Sequence, residues 1–99
     1  LSLADDDRLA YEQVVKTKGF QKVIKKAALI PLETFKVSQK VLKLAKVCLK
    51  KGNKRLASDA KVAVALAQAA SKGAKENVLI NLKEIKDKKF CQELLQVIS

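Results

Sequence analysis

An apolar stripe at helical spacing runs from Phe20 to Leu49 and is crossed by a single proline. Its members are Phe20, Val23, Ile24, Ala27, Leu32, Phe35, Ser38, Val41, Leu42, Ala45, Cys48 and Leu49. Recurrence every three or four residues marks one face of an α-helix. Pro31 falls in the middle of the stripe. It removes the hydrogen bond to the Ala27 carbonyl and predicts a kink, at a cost of up to about 3 kcal/mol. The periodicity resumes beyond it, which predicts one kinked helix over 20–50 rather than two. A kinked long helix can frame a cleft, although packing alone can also require the kink.

Shorter signals place the remaining elements. Ser2-Leu3-Ala4-Asp5 reads as a capping box with Asp5 in place of the usual Glu. Asp5, Asp6 and Asp7 favour a helix N-terminus through the dipole. Ala10, Tyr11, Val14 and Val15 then form a stripe, and Lys16, Lys18 and Gly19 read as its stop. Lys51-Gly52-Asn53-Lys54 is the clearest break. A further helix is expected from about Ser58, a good N-cap, to about Glu84. Its many alanines permit close approach of a partner helix. Asp87 is expected to cap a last helix carrying Phe90, Cys91, Leu94, Leu95 and Ile98. The expected architecture is all-α: an antiparallel bundle of four helices of unequal length, one kinked at Pro31, in a single domain, 1–99.

Composition narrows the function classes. Apolar residues make up 48% of the chain but aromatics only 4%, which suits long helices packed through small side chains. A core of this size is marginal for a lone chain, so dimerisation or further sequence is expected. The net charge is +11, with 21 basic residues of which only Arg8 and Arg55 are arginine. That charge fits either a solvated lysine surface or an anionic partner, nucleic acid or a polyanionic small molecule. The scarcity of arginine weakens sequence-specific DNA recognition, and nucleic acid is not the expected partner. There is no His, so acid–base chemistry falls to Asp, Glu, Lys, Tyr or Cys. No metal constellation, phosphate-binding loop or nucleophile elbow is present. Cys48 and Cys91 sit in apolar stripes and read as buried free thiols of a reducing, cytoplasmic compartment. No stretch is apolar enough to span a bilayer.

The polar candidates are few. Asn77 and Asn81 stack one turn apart on a face otherwise holding Gly73, Ala70, Leu66, Ala63 and Asp59. Two asparagines on an inward face mean either interhelical hydrogen bonding or recognition of a flat heteroaromatic ligand. Ser58 and Asp59 read as capping residues, or Asp59 as a carboxylate that moves a proton. Asp7 stacks one turn before Tyr11. Gly52-Asn53 needs no reading beyond a helix-ending turn.

These residues carry a resemblance. The segment Asp7-Arg8-Leu9-Ala10-Tyr11-Glu12-Gln13-Val14, the Ala27–Leu32 segment with its Pro31, the Gly52-Asn53 to Ser58-Asp59 stretch and Asn77-Val78-Leu79-Ile80-Asn81-Leu82-Lys83 resemble, in order and spacing, the formiminotransferase-cyclodeaminase C-terminal domain family. The resemblance implies an all-helical homodimer, or an assembly of dimers, acting on tetrahydrofolate derivatives without a metal. The reaction would be cyclodeamination of 5-formiminotetrahydrofolate, a step of histidine catabolism, or hydrolysis of the 5,10-methenyl form. The basic charge would suit a polyglutamylated folate tail. It implies Asp59 and Asp7 as proton-transfer groups and Asn53, Ser58, Asn77 and Asn81 as substrate-binding groups. The family's domain is about twice as long, with a Gly-rich N-terminal loop that this chain lacks, so the chain resembles its C-terminal half. The other readings are a basic helical module binding nucleic acid non-specifically through Lys36, Lys40, Lys43 and Lys50, and a non-catalytic family member.

Overall fold

The computed structural model describes the backbone of residues 3–52 and 54–99, and the side chains of 18–52 and 54–99. Three helices account for it: α1 (Leu3–Lys50), α2 (Lys54–Leu82) and α3 (Lys88–Ile98). The chain is all-α, with no strand among the described residues. The expected stop at Gly19 is absent, so the first two anticipated helices are one of 48 residues. A glycine ends a helix when it adopts positive φ; inside one it costs only about 1 kcal/mol. Gly52 is the residue with positive φ, at 71°, and it ends α1. There the Lys51 N–H donates to the Val47 carbonyl at 3.1 Å and the Gly52 N–H to that of Leu49 at 3.3 Å. The helix also runs unbroken through Pro31, as its resumed periodicity predicts. The capping box at Ser2–Asp5 and the stripe from Ala10 to Val15 lie outside the described side chains.

α1 and α2 form one long antiparallel hairpin. On α2 the side turned to α1 is Ala60, Val64, Ala67, Ser71, Ala74 and Val78, with Val64 half-buried and the rest buried. The spacing alternates four and three, the seam of a coiled coil. α1 answers with Ala28, Leu32, Phe35, Ser38, Leu42, Ala45 and Leu49, buried or half-buried. Small side chains let the helices close on each other, and the mid-seam polar groups find partners. The Gln39 amide donates to Ser71 Oγ at 3.0 Å, and Ser38 Oγ to the Thr34 carbonyl at 2.7 Å.

α3 closes one end of the hairpin. Leu94 and Ile98 pack with Ala28, Leu32, Val78, Leu82 and Ile85 into the core cluster. Gln21 clamps the connection: its amide donates to the Glu84 carbonyl at 2.8 Å and its carbonyl accepts from the Lys86 N–H at 2.8 Å. Asp87 caps α3 as expected, accepting from the Phe90 N–H at 3.1 Å. Its other oxygen pairs with Lys25 at 2.8 Å, and the same ammonium lies 5.4 Å from the centre of the Phe90 ring.

The resulting body measures 77 × 20 × 13 Å. Its radius of gyration is 20.9 Å, where a compact domain of this length has about 13 Å. It is a plank two helices wide and one layer deep.

Two outcomes are expected. Ala67→Leu drives a bulky group into the seam, where Ala67 is buried, and costs about 1–3 kcal/mol in urea unfolding. The Lys25 ammonium, and then the Phe90 N–H, hold the Asp87 carboxyl below the usual carboxylate range. A depressed folded value contributes stability above the ordinary carboxylate pKa, lost as the pH falls through the folded value. Asp87→Ala therefore lowers the melting temperature at pH 7, and thermal melts at descending pH show the gap to wild type closing below about pH 4.

Candidate functional site

A groove opens where α1 passes Pro31. Ala27, Ile30, Pro31 and Thr34 form one wall, Ala74, Asn77, Ile80 and Asn81 the other, around a volume of about 350 Å³. Ligand sites run from about 300 Å³ upward and place a few polar groups among apolar walls. Here the polar groups are the two amides. Asn77 and Asn81 stack one turn apart on α2, as the sequence predicts, but the face is not inward: Asn77 is exposed and Asn81 half-buried. Their side chains face the space between Ile30, 72% exposed, and Ile80, 57% exposed. Each amide offers a donor and an acceptor, so the pair can read the edge of a flat heterocycle held between the two isoleucines.

The other candidates lie elsewhere. Ser58 is not an N-cap; α2 begins at Lys54, so Ser58 and Asp59 sit exposed within its second turn. Asp59 shares a helix with Asn77, and the 18 positions between them span about 27 Å. Within one chain the structure does not bring them together. Asn53 and the Asp7 side chain lie outside the described residues. Both cysteines are free, but Cys48 is exposed and only Cys91 is half-buried, its thiol 3.6 Å from the Ile85 carbonyl. Cys48 fails the expectation of burial because α2 covers the next position round α1. Among the described residues no three acidic or thiol groups cluster as metal ligands, and no helix is long and apolar enough to cross a membrane.

The apolar wall of the groove was hidden inside a mixed stripe. Val23, Ala27, Ile30, Thr34, Val37, Val41, Leu44 and Cys48 follow four-three spacing one position round from the seam. The matching row on α2 is Asp59, Ala63, Leu66, Ala70, Gly73, Asn77 and Ile80. Because Ala27, Ile30 and Thr34 share the groove with Asn77 and Ile80, both rows lie on one side of the plank. Asp59 is the one charged residue in either row. Lys36, Lys43, Lys61, Lys72 and Lys75 fall one position round on the other side of each seam, and all are exposed. The two-row pattern on α1 was readable in principle; which row α2 would cover was not.

Comparison with known proteins identifies the lineage. Residues 1–99 match the formiminotransferase-cyclodeaminase family. The chain belongs to this family. It is 35% identical over 85 residues to the methenyltetrahydrofolate cyclohydrolase of Methylorubrum extorquens, covering 86% of this chain and 41% of that protein. The chain thus spans about two fifths of the length of the curated relative it matches. No solved structure matches it. Membership fits the all-α architecture, and the resemblance read from the Asn77–Lys83 run and its companions points to the same family.

Asparagine is a weak helix former, so Asn77 costs a little stability at this exposed mid-helix site. Asn77→Ala is expected to leave the fold intact and raise stability by up to about 0.7 kcal/mol, read from thermal melts.

Proposed function

We propose that this chain is the part of a tetrahydrofolate one-carbon enzyme that holds the pterin, with hydrolysis of the 5,10-methenyl bridge as its reaction. The observation that carries the reading is the stacked Asn77/Asn81 pair in an apolar groove of a chain from this family. The name of the Methylorubrum relative favours hydrolysis over ammonia-releasing ring closure. In this reaction water adds to the bridging carbon and gives up a proton. One carbon–nitrogen bond then breaks, leaving formyltetrahydrofolate. The protein must orient the ring and accept that proton.

Asn77 and Asn81 take the first role, hydrogen-bonding the ring edge while Ile30 and Ile80 sandwich its faces. Asp59 takes the second only from a neighbouring copy, since about 27 Å separates it from Asn77 within one chain; Asp7 is the other candidate base, and Ser58 and Asn53 are further binding groups. No histidine is needed, because a carboxylate can accept the proton. Exposed lysines such as Lys22, Lys26 and Lys86, which line a second concavity with Lys25, suit a polyglutamate tail. A second reading is non-specific docking of nucleic acid through the exposed Lys36, Lys40, Lys43 and Lys50. Its affinity would fall steeply with salt, whereas pterin binding would not.

The test is equilibrium dialysis of 5,10-methenyltetrahydrofolate with its absorbance followed in parallel. Asn81→Ala is expected to weaken binding by about tenfold or more, the cost of unpaired ring polar groups, without loss of helicity. Unchanged binding in the Asn77→Ala/Asn81→Ala double variant would refute the assignment.

A further inference from the structure

The groove holds an acceptor that no side chain supplies. Pro31 is the single proline of the chain and lies inside α1. Proline has no N–H, so the Ala27 carbonyl lacks the donor that a helix interior normally places four residues ahead. That carbonyl must take its hydrogen from outside the helix. A helical carbonyl points along the axis toward the residue four ahead. Ala27 and Pro31 both line the groove, so the open carbonyl belongs to its α1 wall. The seam does not account for the proline. The buried residues at this level are Ala28 and Leu32, whereas Ala27 and Pro31 are half-buried beside them.

The rest of the α1 wall has the same character. Thr34 Oγ1 donates to the Ile30 carbonyl at 3.3 Å. The hydroxyl spends its one hydrogen on the helix and keeps only lone pairs for a ligand. The remaining side chains of this wall, Ala27, Ile30 and Pro31, carry no polar atom. α1 therefore meets a ligand with acceptors alone. Across the groove the Asn77 and Asn81 amides can donate as well as accept.

We propose that the Ala27 carbonyl, opened by Pro31, decides which part of the ring faces α1. A wall of acceptors takes the part that carries N–H donors. On a 2-amino-4-oxo pterin these are the 2-amino group and the neighbouring ring N–H. The 4-oxo group then falls to the amides of Asn77 and Asn81, whose NH2 groups can donate to it. A ring with oxygen at position 2 would set an acceptor against the Ala27 carbonyl and leave both unpaired. The identity of the ring rests on the proposed function; the open carbonyl does not.

Pro31→Ala is the decisive variant. It returns an N–H to the helix and ties up the Ala27 carbonyl, and it should melt higher than the wild type. Dialysis against pterin and lumazine, which differ in carrying an amine or an oxygen at position 2, measures the preference. The wild type should hold pterin about tenfold tighter or more, as a site built around a hydrogen bond does. In Pro31→Ala that preference should vanish; a groove merely reshaped would weaken both ligands alike. Carbon NMR of the carbonyls gives a direct readout, with Ala27 detected through the Ala28 N–H. The wild-type Ala27 signal should lie upfield of Ala45 and Ala60 and move downfield as pterin is added. In Pro31→Ala it should join them and stay still. A Pro31→Ala chain that keeps the preference would overturn the assignment, as would an Ala27 signal that ignores pterin while the Asn81 amide responds. Either result leaves pterin binding itself intact. Silence of both Ala27 and Asn81 would instead remove the pterin from the groove, and the assignment with it.

Discussion

Everything in this structure depends on how closely α1 and α2 approach. The seam is lined on α2 by Ala60, Ala67, Ser71 and Ala74, side chains that keep two long helices close over most of their length. That approach replaces bulk with proximity: dispersion contacts between backbones and methyl groups do the work that large aromatic side chains do elsewhere. The consequence is a body only 13 Å thick in its shortest dimension. A single layer has no interior apart from its seam. Among the described residues, larger apolar groups cluster in burial at the end where α3 folds back over Leu82 and Ile85.

A thin layer has two sides, and this chain treats them differently. The side reached by one step round each helix is rich in lysine; the side reached by the opposite step is apolar, interrupted by Thr34, Asn77 and Asp59. The groove, the amide pair and the exposed isoleucines all belong to the second side. Lysines on the first side favour contact with water, which leaves the opposite surface as the one on which burial is favourable. The same segregation that makes the plank tolerable in water therefore locates its candidate ligand groove.

Asn77, Asn81 and Asp59 are helix residues rather than loop residues. Their spacing is therefore set by helix geometry and cannot relax. Asn77 and Asn81 must stack; Asp59 must stay about five helical turns or more from them. Such rigidity suits orientation of a planar ring, and it makes any chemistry that needs distant groups depend on a second body brought alongside.

Long helices, the α3 cap at Asp87 and the Asn77/Asn81 stacking were legible in the sequence because they are local: each depends on residues within a turn or two. Continuity through Gly19 was not, since a glycine stops a helix only when the chain beyond it turns away. Nor was the start of α2 at Lys54, because Ser58 can cap a helix but also sits easily on a solvated turn. The same limit hid the fate of Cys48 and the wall of the groove. α1 carries two apolar rows one position apart, and periodicity scores them alike. Sequence by itself determined that the rows exist, that they are helical and which residues each holds. Only tertiary packing decided which row α2 covers, because burial is a property of the surface a partner removes from water, not of the residue that offers it.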